Sequence, residues 1–411
     1  MMTGNAVKGE LKRELGLFET TLYGVGIILG AGIYALIGKG AGLAGNALWI
    51  SFFIAAVIAA FTGLSYAELS SMYPKAAAEY NYTLNAFRMK RLSVIVGLFL
   101  VASGTIGAAA VSLGFAGYFS YLFGGSDLLI AGALVLVLTL VNYIGIKESS
   151  RFNVVATLIE AGGLVLVVVI GFFFFSGSNI DFFETATPGF SGIITATALI
   201  FFAFIGFENV ANISEEAKNP AVVVPKALIL SIIISTVLYV LVAVAAVSIL
   251  GWERLSLSGA PLTEAVSEAI PGAGIFMSVI ALFATSNTVL IMLIVSSRVL
   301  YGISADNSLP VFLSRVGRRG TPYNAIILAG VAAIAALFMG DIETVAMITN
   351  LGTFVVYFFV NMSLITLRYK KPKLERPFRT PLNIGRFPVI AFLGATSCVV
   401  MIYFILVYFA R

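Results

Sequence analysis

The sequence predicts an all-α membrane protein with about eleven transmembrane helices, and three observations carry that expectation. Of its 411 residues 60% are hydrophobic and only 11% are charged, whereas soluble domains carry about 25% charged residues. Apolar runs close to the ~20 residues needed to cross the hydrocarbon core recur along the whole chain. Short links marked by Pro, Gly and charge separate them.

A tail, residues 1–16, precedes runs at 17–38, 47–70, 92–124, 128–146, 152–176, 191–214, 227–250, 274–304, 323–340, 344–368 and 387–410. The links include Tyr73 to Ala76, Lys218 to Lys226 and Lys370 to Pro381. The first run follows Lys12, Arg13 and Glu14 and is too long for a signal-peptide core, so it is kept as a span.

The net charge of +5 does not point to nucleic acid, because the basic residues sort by membrane side. The amino-terminal tail and every second link hold 22 of the 25 Lys and Arg, seven of them between Arg368 and Arg386. Only Lys39, Arg254 and Arg411 fall on the other side. The positive-inside rule therefore places the amino terminus in the cytoplasm; the expected location is the cell (plasma) membrane, as a multi-pass protein. An odd number of spans then puts the carboxyl terminus outside.

Cys398 is the sole cysteine, and histidine is absent, which removes disulfides, the HExxH metal motif and any Ser/His dyad. Gly38, Lys39 and Gly40 fail the phosphate-loop pattern, since a hydroxyl residue should follow the lysine. Neither an enzyme nor a cofactor is expected, and proton chemistry must use carboxylates.

Span 1 contains Gly24, Gly26, Gly30 and Gly32, a density that weakens a helix unless packing compensates. Either these residues let helices pack closely, or the helix is broken at Gly30 to Gly32, where bare amides and the positive helix end receive a carboxylate. Span 6 has a second interruption, from Phe202 through Gly206 to Glu208. Gly32 lies 15 residues past the start of span 1, and Gly206 lies 15 past the start of span 6. Five spans separate those starts, so the two halves cross the membrane in opposite senses, as in an inverted repeat. The match favours the broken helices, because irregular backbone at membrane depth persists only where it is buried in protein or lines a cavity.

Several segments together resemble the amino acid permeases of the amino acid, polyamine and organocation superfamily: Gly30 to Ile33, Phe202 to Glu208, Glu215, Glu216, Ala217, Lys218, Asn219 and Pro220 with Pro225, and Ser297 to Tyr301 with Leu309 and Pro310. The resemblance implies the LeuT-type fold, with five-helix repeats over 17–176 and 191–369 and an additional helix at 387–410. It also implies an amino acid substrate whose carboxylate meets amides at Gly30, Ala31, Gly32 and Ile33. The ammonium would meet carbonyls around Phe202, Ala203 and Ile205, next to Gly206, with Phe202 or Phe204 flanking the substrate and Phe202 favoured as gate. The segment Pro261 to Ile270 reads as an outer amphipathic helix, either a lid or a static cap. Departures from the family pattern are Ala31 in place of a common serine, Glu160 where many relatives carry a lysine, and the lack of a twelfth span.

Glu160 lies nine residues past Arg151, roughly 14 Å into the bilayer at 1.5 Å per residue. Ionised there it would be costly, which makes it a proton carrier or cation ligand, or else a hydrogen-bonded structural acid. Thr285, Ser286, Asn287 and Thr288 on span 8 reach similar depth and could face it, or could simply join helices by hydrogen bonds. Glu208, just past the second break, is the other ion-coupling candidate. Arg298 with Glu215 and Glu216 could form an inner gate, although charges at span ends usually mark the interface; Glu68 is read the same way.

Together these features predict a secondary transporter of amino acids that works by alternating access. Coupling to protons is expected ahead of sodium, with exchange as a further mode. Sodium coupling, or transport of a nucleobase, sugar or polyamine on the same fold, is the alternative. A channel is disfavoured by the absence of a repeated filter segment. In a Cys398→Ala background, single cysteines replacing Lys147 and Lys373 should react with an impermeant thiol reagent from the cytoplasm, and those replacing Glu184 and Glu264 from outside; reversed labelling would overturn the span map.

Overall fold

Gly30, with φ −47° and ψ −157°, lies outside the helical region and divides the first apolar run into α1, Leu17–Leu29, and α2, Ala31–Ala44. The computed structural model describes residues 15–410 apart from 75–77, 146–149, 176–179, 187–188, 215–216 and 318–319. After α2 come α3 (Leu48–Met72), a short α4 (Ala78–Phe87), α5 (Lys90–Phe123), α6 (Asp127–Ile144) and α7 (Ser150–Phe175).

The sixth run is divided as well. Its α8, Ser191–Ile200, tightens into a 3-10 turn over Phe201–Phe204 and opens at Ile205 and Gly206 before α9, Asn209–Asn212. Then follow α10 (Pro220–Leu250), α11 (Trp252–Leu257), α12 (Pro261–Ala269), α13 (Gly274–Ala305), α14 (Tyr323–Ala336), α15 (Ile342–Lys370) and α16 (Val389–Phe409). A two-residue hairpin, β1 Asn383–Ile384 with β2 Phe387–Pro388, leads into α16.

Among the described residues nine stretches are long and apolar enough to cross a membrane. One of them, Leu17–Met72, runs for 56 residues and holds α1, α2 and α3, hence both of the first two expected spans. The ninth expected span, 323–340, is helical only over Tyr323–Ala336; its last residues continue as i to i+3 turns, with the Leu337, Phe338 and Met339 amides donating to Ile334, Ala335 and Ala336. The seventh begins earlier than the expected 227, at Pro220. Pro is tolerated at a first helical position because its missing N–H would have no partner there, and Asn219 in the left-handed region provides the turn into it.

The two broken helices are enclosed by long ones: α1 packs on α7 and α10, α10 on α3, and α5 on α13 and α15. Phe172, Phe173, Leu136 and Leu140 point outward from α7 and α6, as expected of a surface that meets lipid.

Glu68 departs from its expected place among interface charges. Its side chain is fully buried near the end of α3 and accepts two hydrogen bonds from Arg368, at 2.6 and 2.5 Å, and one from the Thr380 amide at 2.8 Å. Arg376 lies 3.3 Å from the same carboxylate. This pairing joins α3 to α15 and to the segment before α16. Removing one partner of a buried ion pair leaves an uncompensated charge, so Glu68→Gln should destabilise the protein by about 3–5 kcal/mol, read as a lowered thermal midpoint in detergent; an unchanged midpoint would show that Arg368 is solvated.

Candidate functional site

The two breaks lie against each other. A Cβ added to Gly32 would run into the Cα of Ala203, and one added to Gly206 would meet the side chain of Ile27. Gly206 has φ +121°, a conformation that glycine adopts without steric cost. Small residues thus bring the second half of span 1 onto the irregular turn of span 6, and the helix is both interrupted at Gly30 and closely packed.

Polar groups freed by the breaks find partners on neighbouring helices. The Tyr239 hydroxyl on α10 reaches the carbonyl of Ile28 in the last turn of α1 and, at 3.0 Å, the carbonyl of Ala203. The amide of Ala31, at the start of α2, donates to the Thr288 hydroxyl on α13 at 3.0 Å. The Gly206 amide donates to Glu208 at 2.9 Å, and the Tyr357 hydroxyl donates to the same carboxylate oxygen at 2.7 Å. The Ile205 amide donates to the Phe202 carbonyl at 3.2 Å. Two of the three carbonyls expected to face an ammonium, those of Phe202 and Ala203, therefore already accept a hydrogen bond, though a carbonyl has a second lone pair.

Glu160 on α7 is 1% exposed. One carboxylate oxygen accepts from the Asn287 side-chain amide at 3.3 Å, and the other, Oε2, has no hydrogen-bond partner among the described residues. Its backbone carbonyl accepts from Tyr34 of α2 at 2.8 Å, which ties α7 to the half-helix just past the first break. Of the polar run on span 8, Asn287 thus faces Glu160 and Thr288 faces the break, while Ser286 and Thr285 bond to carbonyls of their own helix, Phe283 and Ala281.

A cavity of about 820 Å³, mouth included, reaches Ile27, Ile205, Gly206, Glu208 and Thr288. Its walls are mostly apolar, with Leu100 of α5, Ile291, Met292 and Val295 of α13, and Val356 of α15. On α13 the lining runs from Thr288 to Val299, and on α1 it stays at Gly26 and Ile27, so the cavity extends from the breaks toward the face that carries the basic links. On the opposite side α11 closes over α2, where a Cβ on Gly38 would strike the Leu255 carbonyl. The apolar face of α12, with Leu262 and Val266, is buried against the bundle.

Gly30, Ala31, Gly32, Ile33, Phe202 and Ala203 lie beside the cavity without lining it. Phe202 is buried, and Phe204 packs edge-on against Tyr239 with ring centroids 5.3 Å apart. Arg298 is exposed and does not line the cavity; Glu215 and Glu216 lie outside the described residues.

Glu79, on α4, was not singled out from the sequence, yet it lines the same cavity as Glu208. It accepts a hydrogen bond from Tyr66 at 3.0 Å. Burial pushes its carboxyl up to about 7, with the charge of Glu208 adding to the rise and the Tyr66 bond opposing it. The Tyr66 ring meets those of Tyr357 and Phe207 edge-on, so the two acids sit on one aromatic cluster. The arrangement suits a small zwitterion or cation: apolar walls, carboxylates at the cavity surface and helix-end amides beside it.

A family model described as amino acid permease matches residues 15–410. The chain is 32% identical over 423 residues to the branched-chain amino acid permease BcaP of Bacillus subtilis, covering 97% of this chain and 89% of that protein. It is 30% identical over 418 residues to the methylthioribose transporter of the same species, covering 96% and 88%. Cationic amino acid transporter 3, mitochondrial, of Arabidopsis thaliana is 30% identical over 399 residues, covering 91% of this chain and 65% of that protein.

Contact between the breaks is tested by glycine substitution. Gly32→Ala should cost about 1–3 kcal/mol through overpacking, whereas Gly162→Ala on α7, with open space around it, should leave the thermal midpoint in detergent unchanged or slightly raised. Equal effects would mean that the breaks do not touch.

Proposed function

The chain belongs to the amino acid permease family and is an amino acid transporter, and we propose that it works by alternating access between two inverted five-helix repeats, 17–176 and 191–369. The observation that carries this reading is the pair of matched helix breaks packed together beside a cavity whose lining extends from them toward one face. Here the substrate carboxylate meets the α2 amides at Gly30 to Ile33, and its ammonium meets the second break between Phe202 and Gly206.

In this arrangement the cavity faces the cytoplasm and the protein is inward-open, with the amino terminus and the basic links on the cytoplasmic side of the plasma membrane. Outward opening requires α11 and α12 to separate from α2, which makes Pro261 to Ile270 part of the moving lid. The aliphatic walls from Leu100, Ile205, Ile291, Met292, Val295 and Val356 favour neutral, apolar side chains. Uptake of a panel of labelled amino acids into proteoliposomes, with a pH or a sodium gradient, tests both specificity and coupling.

Protons are the coupling ion in this account, and Glu160 carries them. Among the described residues no Lys or Arg forms an ion pair with Glu160, so an ionised carboxylate would stand uncompensated, whereas a proton on Oε2 removes the charge. Binding and release of that proton change the interaction with Asn287 and, through α7, the footing of Tyr34 on α2. Glu160→Gln preserves the shape but cannot ionise. It should lose accumulation driven by a pH gradient while retaining substrate binding and exchange, because exchange need not return an empty carrier. Full pH-driven uptake by this variant would remove Glu160 from the mechanism and leave Glu208 as the carrier.

A further inference from the structure

Four arginines converge where α15 ends and the chain turns back into α16. Arg368, Arg376, Arg379 and Arg386 line a pocket of about 610 Å³, mouth included, that shares no residue with the central cavity. Among the described residues Glu68 is the one carboxylate in ion-pair range of any of them, so four guanidiniums face one negative charge, an excess of three.

The donors of these side chains are unevenly met. Arg368, 3% exposed, gives Nε and Nη2 to Glu68, but its Nη1 is buried without an acceptor among the described residues. Arg376 is held by backbone carbonyls, with Nη1 donating to Leu374 at 2.6 Å and Nη2 to Lys371 at 3.0 Å. Burial lowers the pKa of Arg376, and the charges of Arg368 and Arg379 add to the fall against the pull of Glu68. Arg379 and Arg386 are exposed at the mouth. A buried guanidinium nitrogen without an acceptor is costly, and guanidinium forks match the oxygens of a phosphate group bidentately.

We propose that this pocket binds a phosphate group bearing net negative charge, supplied either by the headgroup of an anionic phospholipid or by a free phosphate ion. Its position supports the first source, because the last turn of α15 and the start of α16 lie at the level where a spanning helix leaves the hydrocarbon core. A phosphate oxygen at Arg368 Nη1 would satisfy the orphan donor, and the two exposed arginines would close over the group. Such a ligand would brace α15 and α16 against α3 through the Glu68 pairing.

The test uses the purified full-length protein in detergent at constant ionic strength. Its thermal midpoint is followed while phosphatidylglycerol, phosphatidylcholine or inorganic phosphate is titrated in, with chloride as the background anion. Phosphatidylglycerol should raise the midpoint and phosphatidylcholine, whose choline is repelled by the arginines, should not. The double variant Arg379→Gln with Arg386→Gln, altered only at exposed side chains, should fold and should need at least about tenfold more phosphatidylglycerol for the same shift, since each lost charge-assisted bond weakens binding by about that factor. A shift with inorganic phosphate that the same double variant weakens would identify a free anion as ligand and support the same site. No shift with either ligand, or identical shifts in wild type and double variant, would overturn the proposal.

Discussion

The structure depends on satisfying backbone polar groups where two helices are interrupted at membrane depth, since lipid offers them no hydrogen-bond partner. One tyrosine does much of this. The Tyr239 hydroxyl reaches carbonyls from both breaks, so span 7 holds span 1 and span 6 in a fixed relation. Around that junction Thr288 takes the Ala31 amide, Glu208 takes the Gly206 amide, and Gly32 sits on Ala203. A substrate that bonds to the same groups competes with these internal contacts, which gives binding a direct route to changing how the breaks pack.

Four buried acids show how partners decide what a carboxylate can do. Glu68, in contact with Arg368 and Arg376, is a structural counter-ion. Glu208 accepts from an amide and a phenol at the break while lining the cavity. Glu79 shares that cavity and accepts from the Tyr66 phenol, and burial pushes it up to about 7. Glu160 has one amide and a bare oxygen. Fixed donors or cations stabilise the ionised form, and their scarcity makes protonation the cheaper way to bury the group.

Much of this was legible in the sequence because it follows from local composition. A glycine run marked the first break, Gly206 with Glu208 marked the second, and equal spacing from the span starts tied them together. Hydropathy marked most of the apolar runs, and depth along the helices placed the run Thr285 to Thr288 level with Glu160, of which Asn287 meets it. What escaped depends on which helices become neighbours. Tyr239 is one hydroxyl in a long apolar run, and nothing near it in the chain announces two carbonyls far away in sequence. Glu68 resembled an ordinary charge at a span end until Arg368, 300 residues further on, was brought against it. Glu79 lay between two expected spans, and the short helix α4 brings it to the cavity.

The claim on which the account rests is that an amino acid binds at the junction of the two breaks and is reached from the face with the basic links. Ile205 lines the cavity at that junction. In a transport-competent Cys398→Ala protein carrying Ile205→Cys, the rate of alkylation by an impermeant thiol reagent from each side measures access directly. The account predicts labelling from the cytoplasmic side, slowed by a transported amino acid but not by its decarboxylated amine. Labelling that no transported amino acid slows would contradict it.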